Sequence, residues 1–116
     1  MISEAIRRNS VAHGQRVLIY GAGDKGEFAL REILNNQELG LRPVGFIDDD
    51  VKKSKKKIQG FKVLGRHDNL ETMVKKYKVT EIIVASDKIR TENLEAACSV
   101  CEEMGVAVRN LELSIK

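Results

Sequence analysis

A buried-type apolar run that passes straight into three spaced glycines constrains this chain more than any other feature. Arg16-Val-Leu-Ile-Tyr20 leads into Gly21-Ala22-Gly23-Asp24-Lys25-Gly26, and residues of helical character follow. A strand, a Gly-x-Gly-x-x-Gly turn and a helix in that order form the opening of a strand-helix-strand crossover. Each glycine has its own physical reason: Gly21 for a tight turn, Gly23 for close approach of backbone to a phosphate, Gly26 for close packing of helix on strand. The helix start offers unpaired N–H donors and a partial positive charge, so a phosphate can bind at Ala22, Gly23 and Asp24 without a dedicated basic side chain. Lys25 stands ready to add one.

The glycine spacing gains weight from what comes next. Pro43-Val-Gly-Phe-Ile47 reads as a second strand and ends in Asp48-Asp49-Asp50. Asp48 lies 22 residues beyond Gly26, close to the roughly 20-residue offset of the acid that accepts hydrogen bonds from a ribose diol. Asp48 is therefore the candidate ribose ligand. Asp49 and Asp50 read as solvated turn residues.

Further along, Phe61 to Gly65 has the form of a short edge strand, and Asp68-x-x-Glu71 that of a capping box opening a helix. Leu70, Met73, Val74 and Tyr77 recur at helical spacing, which places Tyr77 in the core rather than at a ligand. Glu81 to Ser86 is near-continuously apolar, as in a parallel strand covered on both faces. Thr91 is positioned to cap a helix that runs to Met104 and stops at Gly105, and Val106 to Leu111 supplies a last strand. Alternating strands and helices predict an α/β fold, a doubly wound parallel sheet with five strands in order 3-2-1-4-5 between two helical layers. The pocket then opens between the first and fourth strands. Its floor is Gly21 to Gly26, one wall is Asp48, and the other is Ala85, Ser86 and Asp87. Ser86 is equally suited to a phosphate, a base or a turn cap.

Composition removes several classes of function. With 116 residues and 42% hydrophobic content the chain suits one core, with Met1 to Gly14 a linker or a short helix and residues 15–116 the domain. No apolar run reaches the ~20 residues of a membrane span, and the N-terminus lacks a signal-peptide core, so a cytoplasmic location is expected. A net charge of +3, three Phe, two Tyr and no Trp speak against nucleic acid as a partner. Lys52, Lys53, Lys55, Lys56 and Lys57 read as a solvated loop, or as a surface for anionic lipid if the domain is tethered to a membrane. Cys98 and Cys101 are too few for a zinc site. They fall on one stripe with Leu94, Ala97 and Met104, and both are expected to face the core as reduced thiols. His13 and His67 read as surface residues at element boundaries. The sequence contains no Tyr-x-x-x-Lys pair, and neither a catalytic residue nor a metal site is assigned.

Arg16 to Gly26, Asn35 to Gly40, Pro43 to Asp50, Ile58 to Gly65 and Glu81 to Ala85 together resemble one module. It is the Rossmann-like, CoA-binding-like domain of bacterial cell-surface polysaccharide biosynthesis proteins, and the resemblance runs from about Arg16 to Leu113. In that family the domain precedes the catalytic domain of membrane-anchored nucleotide-sugar dehydratases and epimerases, or follows the membrane domain of polyprenyl-phosphate sugar-phosphate transferases. Val84 to Ile89 and Gly105 to Leu113 are slightly more similar to the second context. A related domain in sugar acetyltransferases holds a UDP-sugar at the equivalent turn and acid.

The resemblance implies an accessory or sensor domain that binds NAD(H) or a UDP-sugar. Its partner would be a catalytic or membrane domain of a parent protein at the cytoplasmic face of the inner membrane, and a homodimer is allowed for. The alternatives are a stand-alone NAD(H)-sensing regulator and a structural domain without ligand. Catalysis is expected from the partner domain, not from this one.

Overall fold

A computed structural model describes residues 14–111. The expected linker or helix before Gly14, including His13, lies outside the described residues. The elements are β1 (Gln15–Tyr20), α1 (Asp24–Asn35), β2 (Leu41–Ile47), β3 (Lys57–Ile58), β4 (Phe61–Gly65), α2 (Leu70–Tyr77), β5 (Glu81–Val84), α3 (Thr91–Met104) and β6 (Ala107–Asn110), with short 3-10 turns at Gln37–Leu39, Val51–Lys53 and His67–Asn69.

The sheet has the order β3-β4-β2-β1-β5-β6. Five of these strands run parallel in the expected 3-2-1-4-5 arrangement. The correction is a sixth, β3, paired antiparallel to β4. Its cause is a two-residue turn in which Gln59 (φ 50°) and Gly60 (φ 88°) are both left-handed, the geometry that matches the twist of a tight hairpin. Ile58 is thereby buried on the α1 face.

Alternation along β1 explains why its apolar run is unbroken. Val17 and Ile19 face α1 together with Ala29, Leu30, Ile33, Phe46 and Ile83. Leu18 and Tyr20 face α2 and α3 together with Leu70, Met73, Ile82, Ala97 and Cys101. A strand covered on both faces needs apolar residues at successive positions, and the result is the Rossmann-like three-layer arrangement. Tyr77 packs against the second cluster from a partly buried position, as its spacing predicts.

Three details of the helices differ from the sequence reading. Asp68 and Glu71 form no capping box; the His67–Asn69 turn precedes α2, and the Asn69 side chain accepts the Arg66 amide at 3.1 Å. Thr91 is the first residue of α3 rather than its cap, which is Arg90, without a side-chain bond. Cys101 is buried but Cys98 is exposed, because the stripe of α3 that meets the sheet is narrow and passes through Ala97 and Cys101. Gly105 (φ 71°) ends α3 as expected. Among the described residues no helix is long and apolar enough to cross a membrane.

Candidate functional site

The chain leaves β1 toward the face covered by α1 and leaves β5 toward the face covered by α3, so the two connections diverge and a crevice opens between them. Ligands of open parallel sheets bind at such a reversal, beyond the carboxyl ends of the strands. Here the crevice is a cavity of ≈ 500 Å³. Its floor is Tyr20, Gly21, Gly23, Asp24 and Lys25. Asp48, Asp49, Asp50 and Lys53 line one side, and the stretch from Ala85 to Arg90, with Asn93, lines the other.

The three glycines have separable roles. Gly21 has φ +123°, and a Cβ there would stand 2.6 Å from the Ala85 carbonyl oxygen; the turn and its contact with the chain just past β5 both require glycine. A Cβ on Gly26 would lie 1.8 Å from the Gly21 carbonyl oxygen, so α1 packs on β1 at a distance that no side chain permits. Gly26 is buried beneath the cavity. At Gly23 a Cβ would meet a single neighbour, the Lys53 Nζ at 3.4 Å, which leaves the backbone open to a ligand. Gly23 is also the N-cap of α1 and makes no side-chain cap bond, so no side chain competes for the first-turn amides.

Asp48 is tied into this turn. One carboxylate oxygen accepts the Ala22 amide at 2.8 Å, and the other accepts the Asp50 amide at 2.9 Å. Its side chain is 14% exposed, with the Lys53 Nζ at 3.9 Å. Ala22 itself is buried and takes part through its backbone. Lys25 pairs with Asp87 at 3.2 Å, an exposed ion pair of little energetic weight, and that lysine hydrogen bond lowers the Asp87 pKa. Ser86 receives the Lys88 amide at 3.1 Å, the turn-cap geometry. Of the nine residues singled out in the sequence for binding, seven line the cavity; Ala22 and Gly26 build its base.

Asp49 and His67 require correction. Asp49 is not a solvated turn residue and His67 is not merely on the surface. Asp49 accepts the Tyr20 hydroxyl; it also accepts the His67 amide and the His67 ring Nδ1, each at 2.9 Å, and the Asn93 side-chain amide at 3.3 Å. Burial alone would raise its pKa, but the bonds from the His67 amide, the Tyr20 hydroxyl and the His67 ring outweigh it and hold the carboxyl below its ordinary value. Burial, reinforced by Asp49, pushes the Tyr20 phenol far above its ordinary range, so Tyr20 stays protonated. The sequence carried one clue, a tyrosine in an aliphatic two-face-buried strand, whose hydroxyl needs a partner.

The lysine loop also divides. Lys52, Lys55 and Lys57 point outward as expected, whereas Lys53 lines the cavity and Lys56 Nζ donates to the Ala22 carbonyl oxygen at 2.9 Å. Burial, with Cys98 nearby, pushes the Cys101 thiol up to about 11, which keeps it protonated and inert. Among the described residues no group of three or more His, Cys, Asp or Glu is placed to hold a metal ion.

With this geometry the family match is decisive, because the profile of a CoA-binding domain covers residues 1–110. The chain belongs to the CoA-binding domain family. Its relatives include the probable polysaccharide biosynthesis protein EpsC of Bacillus subtilis, 36% identical over 109 residues, and the capsular polysaccharide biosynthesis protein CapD of Staphylococcus aureus, 33% identical over 90 residues. The matched segments cover 94% and 77% of this chain but 18% and 15% of those proteins, so the chain spans less than a fifth of their length. Among solved structures, UDP-D-quinovosamine 4-dehydrogenase from Vibrio fischeri matches with a TM-score of 0.72 at 28% identity, covering 85% of this chain and 79% of that one. RSP, a Rex-family repressor, matches with a TM-score of 0.72 over 97% of this chain and 56% of its own, at 18% identity, and shares the fold.

Proposed function

We propose that this CoA-binding domain is the nucleotide-binding module of a polysaccharide biosynthesis protein, and that it holds NAD(H) through Gly21 to Gly26 with Asp48 on the ribose. One observation carries the reading: the ribose acid and the phosphate-binding turn are joined by the Ala22 amide to Asp48 bond at the point where the strand order reverses. The residues fit the ligand. An open Gly23, an uncapped helix start and an anchored carboxylate supply a pyrophosphate cradle and a diol acceptor within one cavity. RSP, a neighbour in fold, has been solved in complex with beta-NADH, which supports a dinucleotide. A UDP-sugar is the second reading, favoured by the likeness to an enzyme named for UDP-D-quinovosamine.

The chain binds rather than turns over. The Tyr20 hydroxyl is already engaged by Asp49 and Cys101 is buried in the core away from the cavity, so neither is offered to a ligand as a reacting group. Dehydration, epimerisation or sugar-phosphate transfer would belong to a partner domain of the parent protein, and its place at the cytoplasmic face of a membrane is part of the same proposal. Calorimetric titration with NAD+, NADH, ADP-ribose, CoA and UDP-glucose tests it. Ligand at a hundred times its Kd should add ~2.7 kcal/mol of stability and raise Tm by roughly 10 °C or more. Failure of every compound to bind at millimolar concentration, or turnover of a nucleotide sugar by the purified chain, would overturn it.

A further inference from the structure

We propose that Lys53, carried on the loop between β2 and β3, contacts the pyrophosphate of the bound nucleotide, which makes it a binding residue outside the glycine turn. The inference rests on the nucleotide reading above and adds to it a cation that the glycine motif does not require.

The loop is fixed against the turn rather than extended into solvent. Asp50 caps it by accepting the Lys52 amide at 3.0 Å, the Lys53 amide donates to the Asp50 carbonyl oxygen at 2.9 Å, and Lys56 Nζ grips the Ala22 carbonyl oxygen at 2.9 Å. Those bonds deliver the Lys53 ammonium to the mouth of the site. It stands 3.4 Å from where a Cβ on Gly23 would be, the space a phosphate must enter, and its side chain is 32% exposed.

Its charge is held only loosely there. Asp48 is 3.9 Å away, at the outer limit of an ion pair, and already accepts two backbone amides at 2.8 and 2.9 Å. Lys25, the cation at the helix start, is engaged by Asp87 at 3.2 Å. A pyrophosphate at Gly23 would lie beside the Asp48 carboxylate, and an ammonium between the two anions relieves their repulsion while donating to a phosphate oxygen. Lys52, one residue earlier, is exposed and serves as an internal control. A phosphate attached to the ribose is the other source of the same chemistry, but Gly23 marks the backbone approach to the bridging pyrophosphate.

The test is titration of the full chain with NAD+ and UDP-glucose, both pyrophosphates, and with adenosine 2′-monophosphate, whose phosphate is on the ribose. Lys53→Met is expected to weaken whichever pyrophosphate ligand binds roughly ten-fold, as for loss of a charge-assisted hydrogen bond, and to flatten the fall of affinity with salt. Lys53→Arg should retain most of the affinity, and Lys52→Met should stay within two-fold. An unchanged affinity in Lys53→Met overturns the role of Lys53 and leaves the nucleotide reading standing. A larger loss for adenosine 2′-monophosphate than for the pyrophosphates moves the contact to the ribose and also overturns it. If the parent chain binds neither NAD+ nor UDP-glucose, both readings fall together.

Discussion

Directly after β2, on the α1 side of the sheet, comes Asp48, whose carboxylate reaches the amide of Ala22 in the glycine turn. One residue later, on the α2 and α3 side, the chain presents Asp49, whose carboxylate gathers Tyr20, His67 and Asn93. The side chains are identical and the distance between them is one peptide, yet just past the end of β2 they turn to different partners. Asp48 meets backbone at a cavity and keeps acceptor capacity for a ligand. Asp49 meets a buried phenol and a histidine, and its acceptor capacity is taken up by protein. Identity of residue type therefore says little here; one acid is set at the cavity beside the glycine turn, where the proposed ribose contact would be made, and the other ties β1, the turn before α2 and the start of α3 together.

The comparison requires that the glycine turn itself be rigid, and the largest effect should come from breaking it. Gly26→Ala places a Cβ 1.8 Å from the Gly21 carbonyl oxygen, a clash with backbone that no rotamer relieves. Overpacking of this kind typically costs 1–3 kcal/mol and occasionally more, and a loss of at least ~3 kcal/mol is expected in a denaturant melt. A variant as stable as the parent would mean that α1 can move off β1, and that Asp48 is not held at a fixed distance from the turn.

Next in size is Asp49→Ala. It leaves the Tyr20 hydroxyl buried without its acceptor, a penalty of ~1–3 kcal/mol, while nucleotide affinity should change less than five-fold. The pH dependence gives a second measure. Asp49 has a folded-state pKa below its ordinary value, so its contribution is present above the unfolded carboxylate range and is lost as pH falls through that range toward the folded value. The parent should lose stability over that acid window more steeply than Asp49→Ala. Parallel acid curves would show that the Tyr20 and His67 bonds do not stabilise the charged form.

How much of this arrangement can be read in the sequence follows from the range of the interactions. The apolar run into Gly21, the helical stripe of Leu70, Met73 and Val74, and the offset to Asp48 are periodic or local signals, and they specify the parallel sheet and the crevice. The β3 hairpin escapes because Gln59-Gly60 is a weak turn dipeptide beside the Asn-Gly type. Asp49 and His67 are 18 residues apart, and Asn93 is a further 26 beyond His67. No periodicity connects them, only the packing of α2 and α3 on one face. The contacts of Lys53 and Lys56 with the glycine turn are hidden for the same reason, since five lysines in a six-residue span read as one solvated run.

Asp48→Asn sharpens the comparison from the ligand side. Loss of a charge-assisted bond to a ribose diol costs ~1.5–3 kcal/mol, so affinity for NAD+ should fall roughly ten-fold or more, while Tm without ligand falls less than in Asp49→Ala. NADP+ should bind more weakly than NAD+, because its 2′-phosphate brings a second anion against Asp48. Equal affinity for the two dinucleotides, or an Asp48→Asn protein that binds NAD+ as tightly as the parent, would remove Asp48 from the ribose.

The smallest effect belongs to Asp50→Asn, and it separates position from charge. Asp50 is exposed and its carboxylate accepts the Lys52 amide at 3.0 Å, a cap that asparagine preserves with its own carbonyl oxygen at a cost within about 0.5 kcal/mol. The substitution removes one negative charge from the same acidic triplet without moving the loop that carries Lys53. If Asp48 acts through its place beside Ala22, Asp50→Asn should bind NAD+ within two-fold of the parent. If the triplet acts only through its summed field, Asp50→Asn should match Asp48→Asn in affinity, and the assignment of different tasks to neighbouring acids would fail at the residue where the two explanations differ most.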